Sequence, residues 1–347
     1  MHIAVYGANG FQAKLVLAEL TRRAITPVLV GRNRARLEHA AEAVGLASAE
    51  LREADIADHD SLVAAFSGCE VMINCAGPFT VSGEPVVRAA IAAGVHYVDT
   101  SGEQAQIKST FDRFGADAER QGVSVVPAAH DACVPGDLVA HLLGERLAPL
   151  ESITVSHIIT GGGGLSRGSL RSAMVTFDAL TSGGLVYQSG AWVPAAGPAE
   201  RKIVFPGEPE PTLMAKLPLA EVITIPRHVA VERVESFVEA AVSAQLGTPI
   251  PAEFIDALPE GPSEEGRRSQ RFTYLIEATA ADGSTGRATV SGTDTYGITA
   301  VIAVEAAARL AVDGAAPGVL APAQAFDPAR FLTALASHGL QWGIDAP

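Results

Sequence analysis

The first part of the chain alternates short apolar runs with longer amphipathic stretches, and this alternation constrains the fold more than any other feature. From residue 1 to about residue 148, runs of strand length are separated by segments with helical spacing. Strand–helix–strand alternation with short connections is typical of a parallel, doubly wound sheet. Several runs are apolar at every position, as burial between two helical layers requires. The apolar runs are Ile3–Tyr6, Pro27–Val30, Ala49–Arg52, Val71–Cys75, Tyr97–Asp99 and Val123–Val126.

After about residue 150 the pattern changes to short β-like pieces between Pro- and Gly-rich segments. Arg271–Ala280 and Gly286–Gly292 are connected through Asp282 and Gly283, a dipeptide that strongly indicates a hairpin turn. These pieces predict a second, α+β domain with a mostly antiparallel sheet. The fold class expected for the whole chain is therefore α/β, with an N-terminal parallel sheet followed by this second domain.

A glycine-rich turn directly follows the first strand. Gly7 permits a tight turn, Gly10 lets the backbone approach a pyrophosphate, and Ala13 allows close packing of helix on strand. The helix that follows offers free N–H groups to the anion. In the context of six alternating strands, this motif predicts a Rossmann-type domain that binds a dinucleotide. The residues expected to line the turn are Gly7, Asn9, Gly10 and Phe11.

The end of the second strand distinguishes between the two nicotinamide cofactors. NAD-binding domains usually place an acidic residue there for the ribose hydroxyls, whereas this chain has Arg32, Asn33, Arg34 and Arg36 and no carboxylate. A guanidinium can bind a 2′-phosphate bidentately and stack on adenine. We therefore expect NADP(H), with NAD(H) the less favoured cofactor, held by Arg32 and Asn33. Arg34 and Arg36 are equally well explained as a solvated helix start.

Two later loops complete the predicted cofactor site. Asp55 and Ile56 follow the third strand, where such domains contact the adenine. The loop after the fourth strand lies beside the switch point of the sheet, where small residues let the nicotinamide ribose approach the backbone. Its predicted contacts are Asn74, Ala76, Gly77 and Pro78.

Composition and charge exclude several classes of partner. The net charge of −14 disfavours nucleic acid and anionic membranes, which need a basic surface. The sequence has no uninterrupted apolar run of about 18 residues, and Met1–Tyr6 reads as a strand, so we expect neither a membrane span nor a signal peptide. The three cysteines lack CxxC spacing, which predicts no disulfide framework and no metal site. A cytoplasmic location fits these features best.

Several segments resemble the saccharopine dehydrogenase-like oxidoreductases, in particular the branch that includes trans-acting enoyl reductases. The resemblance covers nearly the whole chain and is most specific at 74–87 and 96–103. One stretch departs from the family pattern. When the chain is aligned on Pro135 and Asp137, Ala132 occupies the position where the family has an aspartate, and Asp131 lies one residue before that position. The matching segments are Gly7–Ala13, Val30–Asn33, Asn74–Val87, His96–Asp99, Ser101–Glu103, Val134–Leu138 and Ser291–Gly297.

The resemblance implies that the chain leaves the Rossmann domain after its sixth strand, builds a substrate domain and returns with a C-terminal helix. Together with the change of pattern near residue 150, it assigns residues 1–135 and 296–347 to the dinucleotide-binding domain. Residues 136–295 form the substrate and dimerisation domain, and we expect a homodimer through the sheet of this domain.

Hydride transfer requires a proton donor or hydrogen bond for the atom that accumulates negative charge, near the ends of strands four to six. His130, adjacent to Asp131, can protonate a substrate near neutral pH; a histidine bonded locally within its loop is an equally open explanation. Glu103 either orients the substrate or caps the following helix. Tyr97 reaches the pocket or a backbone partner, and a core position is the better explanation for it.

These features predict an NADP(H)-dependent oxidoreductase that acts on a C=C or C=N bond of a small or medium metabolite. A substrate with several carboxylates would need converging cations, for which Arg167, Arg171 and Arg227 are candidates. The alternatives are a non-catalytic NADP(H)-binding redox sensor and a scaffold protein that stabilises an enzyme, since fold does not fix function.

Overall fold

Two sheets organise the chain in the computed structural model, which describes residues 1–197 and 199–345. The N-terminal part alternates strands and helices as the sequence predicts. Its elements are β1 (Ile3–Tyr6), α1 (Phe11–Arg22), β2 (Val28–Gly31), α2 (Arg34–Ala43), β3 (Glu50–Glu53), α3 (His59–Phe66), β4 (Val71–Asn74), α4 (Phe79–Ala92), β5 (His96–Asp99), α5 (Gln104–Gln121) and β6 (Ser124–Val126).

The second part begins with α6 and contains longer strands. Its elements are α6 (Val134–Leu147), β7 (Leu150–Thr160), α7 (Arg167–Val175), α8 (Phe177–Ser182), β8 (Leu185–Gln188), β9 (Ala191–Pro194), β10 (Glu200–Ile203), β11 (Thr212–Lys216), α9 (Glu221–Thr224), a 3₁₀ turn (Ile225–Arg227), β12 (Val231–Glu239), α10 (Ala240–Leu246), α11 (Ala252–Ala257), α12 (Glu264–Ser269), β13 (Arg271–Ala280), β14 (Thr285–Thr293), α13 (Thr295–Val312), β15 (Gly318–Val319), α14 (Pro322–Ala325), α15 (Pro328–Ala336) and β16 (Gln341–Asp345).

The first sheet is parallel throughout, in the order β15-β6-β5-β4-β1-β2-β3. Strands β1, β2 and β4 are buried along their whole length, which explains why their sequences are apolar at nearly every position. The strand order reverses between β1 and β4. Ligands of such sheets bind at this reversal, outside the carboxyl ends of the strands.

The second sheet follows the order β10-β11-β12-β7-β13-β14-β16, with β8 and β9 attached beside β12. Its described pairs are antiparallel except for β12 with β7. The hairpin predicted from Asp282 and Gly283 is present as β13 and β14. The predicted fold class, a parallel Rossmann-type sheet with a second α+β domain, is confirmed.

Two C-terminal elements connect to different sheets. Helix α13 packs against α1, β4 and β5 of the first part. Strand β16 instead pairs with β14, Ala288 lying opposite Ile344. The sequence-based assignment of all of 296–347 to the dinucleotide-binding domain is therefore wrong for this last strand, because β14 offers it a free antiparallel edge.

Helix α13 is the one helix of the described residues that is long and apolar enough to cross a membrane by length and composition. Most of it is buried against the parallel sheet and α1. Its apolar surface is thus used in packing within this chain.

Candidate functional site

The β1–α1 turn has the geometry that a bound pyrophosphate requires. Gly7 has φ of +75°, and its N–H donates to the Val30 carbonyl over 3.0 Å. A Cβ at this position would lie 2.9 Å from the Cβ of Ala76, so only glycine fits. Gly10 is the N-cap of α1 and provides no side-chain cap, which leaves the first N–H groups of the helix open to an anion.

Two further side chains of this turn point away from its N–H groups. The Asn9 Oδ1 lies near the end of β2, 3.8 Å from the Cβ position of Gly31. The Phe11 ring packs edge-on against Tyr296, with ring centroids 5.2 Å apart. Phe11 therefore offers the cofactor its backbone, while its side chain contacts α13.

Arg32 is exposed at the end of β2 and, among the described residues, forms no ion pair. The pKa of the nearby Tyr6 hydroxyl is raised to about 12 by burial and by Asp55, against the opposing charge of Arg32. Arg32 directly follows β2, where domains of this type meet the ribose of the adenosine. Its neighbours are engaged locally: Arg34 pairs with Glu38 at 3.2 Å, and Asn33 caps α2 by accepting the Arg36 N–H at 3.0 Å.

A cavity of about 350 Å³ follows the end of β3, on the side where an adenine would bind. Ile56 contributes to its wall, whereas the Asp55 carboxylate accepts the Ala57 N–H over 2.9 Å. The lining residues are Ile56, His59, Thr80, Val81, Glu84, Pro85 and Arg88.

A buried polar network connects the ends of β4 and β5. The Asn74 amide donates to the Tyr97 hydroxyl over 3.1 Å, and that hydroxyl donates to Asp99 over 2.8 Å. Asp99 also accepts the N–H groups of Ser101 and Ala128. Burial raises the pKa of Asp99, although its hydrogen bonds and the charge of His130 oppose the shift.

This network gives Tyr97 the core position that the sequence favoured over one in the pocket. The residue is 0% exposed, and its hydroxyl already has one donor and one acceptor within the protein. Its single hydroxyl hydrogen is already donated to Asp99, so none is left for a substrate. Tyr97 instead fixes the positions of Asn74 and Asp99, which hold the β4–α4 and β5–α5 loops.

Glu103 has a different role from the predicted one. Its carboxylate accepts the N–H groups of Phe79 at 2.7 Å and Thr80 at 2.5 Å, and the Ser172 hydroxyl at 2.6 Å. It therefore caps α4, which precedes it in the chain, and not α5, which follows. The bond to Ser172 ties this loop to α7 of the second part. Its acceptors are occupied, so it positions the Gly77–Phe79 loop.

His130 and Asp131 lie together at the end of β6, as predicted. His130 is 9% exposed and its Nε2 has no hydrogen-bonding partner, while its Nδ1 is 3.9 Å from Asp131. Asp131 accepts the hydroxyls of Tyr274 and of Thr299, the latter at 2.9 Å. Burial alone would raise the pKa of Asp131, but His130 and the two hydroxyls lower it below its usual range.

The three arginines considered for a polycarboxylate substrate already have partners within the protein. Arg167 lies 3.5 Å from Glu260, and Arg171 pairs with Asp256 at 2.5 Å. Arg227 lies between aromatic rings, its guanidinium carbon 3.6 Å from the Phe111 ring centroid. Arg167 also donates to the Asp256 carbonyl over 3.4 Å, so it shares this neighbour with Arg171, whereas Arg227 is held by aromatic rings.

Sequence reasoning missed the hydroxyl groups that the second part brings over the cofactor turns. Ser166, Ser169 and Tyr296 are hydrogen-bonded to one another, and Ser172 binds Glu103. Tyr296 lies in the segment Ser291–Gly297, which carries the family resemblance without indicating a role. Its position at the junction of β14 and α13 was the signal that could have drawn attention to it. Within residues 1–197 and 199–345, no group of three or more His, Cys, Asp or Glu is placed to hold a metal ion.

Comparison with known proteins agrees with this geometry. The family description "Saccharopine dehydrogenase NADP binding domain" matches residues 3–126. The first sheet and its helices are therefore similar to that domain over about a third of the chain. The matched description names NADP as the cofactor of such domains, in agreement with the arginine that follows β2.

The curated relatives match part of the length of this chain. A Caenorhabditis elegans "Lipid droplet localized protein" is 31% identical over 178 residues, 47% of this chain and 41% of the relative. A human "Saccharopine dehydrogenase-like oxidoreductase" is 26% identical over 196 residues, 51% of this chain and 46% of the relative. A Mycobacterium tuberculosis protein named provisionally as a trans-acting enoyl reductase is 32% identical over 145 residues, 41% of this chain and 35% of the relative. The chain thus spans less than half the length of these relatives.

Among solved structures, apo saccharopine dehydrogenase (L-Glu forming) of Saccharomyces cerevisiae superposes with a TM-score of 0.64. The superposition covers 99% of this chain and 100% of that chain at 14% identity. At this identity the likeness shows the shared fold, including both sheets.

Proposed function

We propose that the chain is an NADP(H)-dependent oxidoreductase that transfers hydride to a C=C or C=N bond of a small or medium metabolite. The NADP-binding domain and the oxidoreductase names of several relatives support this class. The observation that carries the proposal is the buried Nε2 of His130, which has no partner inside the protein at the end of β6. A buried polar nitrogen left without a partner is costly unless a ligand or water meets it.

His130 is the proton donor of this proposal. Bound NADPH supplies the hydride. The substrate then carries negative charge on a neighbouring atom, and an imidazolium near neutral pH can deliver the compensating proton. Asp131 stays ionised because Tyr274 and Thr299 hold its oxygens, and it lies 3.9 Å from the Nδ1 of His130. Asp131 therefore acts on the reaction through His130.

The charges around the cleft favour an uncharged reacting group. Arg167 and Arg171 are paired with carboxylates, and Arg227 is packed between aromatic rings. A substrate with several carboxylates would have to break these contacts to be held. We therefore favour a conjugated C=C bond, and a C=N bond is the second candidate.

The proposal is tested by NADPH oxidation against a panel of enoyl thioesters and imines. On any substrate that reacts, His130→Ala should lower kcat about 10²–10⁴-fold and leave the Kd of NADPH unchanged. His39→Ala, on an exposed face of α2, is the matched control and should keep full activity. Full activity in His130→Ala would refute its role.

The sensor and scaffold alternatives predict a different outcome. Tight NADPH binding without oxidation by any member of the panel would favour them over an enzyme.

A homodimer through the second sheet and a cytoplasmic location also stay predictions. Light scattering of the purified chain tests the first, and a monomer at working concentration would contradict it.

A further inference from the structure

Tyr296, the second residue of α13, borders the turn where the cofactor binds. Its ring packs edge-on against Phe11, and its carbonyl oxygen accepts the Gln12 side-chain amide over 3.1 Å. Phe11 and Gln12 are the first two residues of α1, whose N-terminus faces the pyrophosphate. The tyrosine is half-buried, so its hydroxyl is shielded by the second part of the chain but not sealed inside it.

The Tyr296 hydroxyl belongs to a chain of three hydroxyls. Its Oη accepts the Ser166 N–H over 2.8 Å and lies 3.0 Å from the Ser169 Oγ. The Ser169 Oγ is in turn 3.0 Å from the Ser166 Oγ. The three hydroxyl groups have three hydrogens to donate, but only two contacts between hydroxyls can accept them. One O–H group therefore has no acceptor within the cluster.

The direction of the chain decides which hydroxyl keeps a free hydrogen. If Ser166 donates to Ser169 and Ser169 donates to Tyr296, the free O–H is that of the tyrosine. Its Oη then accepts two hydrogen bonds, from the Ser166 N–H and the Ser169 hydroxyl. Such donors stabilise negative charge on the oxygen and strengthen the bond that the phenol donates.

The hydroxyls extend from the β1–α1 turn towards the β4–α4 loop. Ser172 follows Ser169 by three residues and lies on the same side of α7. Its Oγ donates to Glu103 over 2.6 Å and lies 3.3 Å from the Cβ position of Gly77. The hydroxyls of Tyr296, Ser169 and Ser172 thus lie between these two loops, and Tyr296 is half-buried whereas Tyr97 is fully buried.

We propose that the Tyr296 hydroxyl donates a hydrogen bond to the substrate atom that gains negative charge during hydride transfer. This inference rests on the proposed function. The hydride adds to one carbon, and the π pair moves to a conjugated carbonyl oxygen or to the nitrogen of a C=N bond. Tyr296 binds that atom, and His130 supplies the proton that completes the reduction. One NADPH and one proton are consumed for each double bond reduced.

The first test compares Tyr296→Phe with the wild-type protein on a reacting panel member. The substitution keeps the ring on Phe11 and removes the hydroxyl. It should lower kcat about 10²–10³-fold, as loss of an oxyanion donor does, with the Kd of NADPH unchanged. Ser169→Ala should have a smaller effect of the same kind. Tyr187→Phe, on β8, is the matched control and should keep wild-type kcat. Wild-type kcat in Tyr296→Phe would overturn the proposal while leaving the proposed function intact.

A second test needs no turnover. The chain labelled with 3-fluorotyrosine carries five tyrosine ¹⁹F resonances, and the one lost in Tyr296→Phe is that of Tyr296. With NADP⁺ bound, titration with crotonamide, a neutral conjugated amide, should shift this resonance and leave that of Tyr187 in place. An unchanged Tyr296 resonance would overturn the proposal. Tight NADPH binding with no oxidation by any panel member would instead count against the proposed function.

Discussion

Replacing Tyr97 by Phe tests the buried network that holds the cofactor loops. The Tyr97 hydroxyl is 0% exposed, donates to Asp99 over 2.8 Å and accepts the Asn74 amide over 3.1 Å. Its removal leaves one buried acceptor and one buried donor without a partner. Each such group costs about 1–3 kcal/mol, so the free energy of unfolding should fall by roughly 2–6 kcal/mol.

Urea unfolding followed by circular dichroism measures this change, with Tyr187→Phe as the control. Tyr187 is half-buried beside Trp192, and no hydrogen bond of its hydroxyl is seen among the described residues. Its substitution should change the free energy of unfolding by less than about 0.5 kcal/mol. The folded Tyr97→Phe protein should retain measurable turnover, because its hydroxyl does not touch the substrate. Unchanged stability, or lost turnover with unchanged stability, would refute the structural role.

Two further predictions concern the cofactor and the packing of α13. In a fluorescence titration, NADPH should bind at least about tenfold more tightly than NADH, a difference of about 1.4 kcal/mol. The Arg32→Asp substitution should reverse this order. Equal affinities of the wild-type protein for the two cofactors would contradict the assignment. Arg23 bridges Glu19 of α1 and Glu305 of α13. Burial raises the pKa of Glu305, but Arg23 and Arg309 outweigh it and lower that pKa. The ion pairs of the Glu305 carboxylate therefore stabilise the fold above the usual carboxyl pKa near 4.3. This stabilisation is lost as the pH falls below that pKa. Glu305→Gln should cost about 1–2 kcal/mol at pH 7 and reduce the acid sensitivity of unfolding; an unchanged pH profile would contradict this.

The sequence predicted the parallel sheet well because its signals are local. A strand that runs into Gly7 and Gly10, followed by an amphipathic helix, admits few other folds, and Arg32 stands directly after β2. The hairpin of β13 and β14 was equally readable from its turn. The pairing of β16 with β14 was not, because the two segments are separated by the whole of α13.

The roles of the candidate site residues depended on contacts between distant parts of the chain. Glu103 accepts N–H groups 23 and 24 residues before it, and no local pattern distinguishes this from capping the next helix. Tyr97 and Tyr296 both lie in segments that carry the family resemblance. The burial of Tyr97 follows from the position of β5 between β4 and β6. The hydrogen bond of the Tyr296 hydroxyl follows from the position of Ser169 on α7.

The central claim is that this chain moves hydride from NADPH to carbon with His130 at the reacting centre. The most direct measurement is transfer of deuterium from NADPH deuterated at C4 of the nicotinamide to members of the enoyl thioester and imine panel, followed by mass spectrometry. The account predicts one deuterium on a carbon of the reduced product, formed stereospecifically and about 10²–10⁴-fold more slowly by His130→Ala. Tight binding of the labelled NADPH with no deuterium in any product would contradict it.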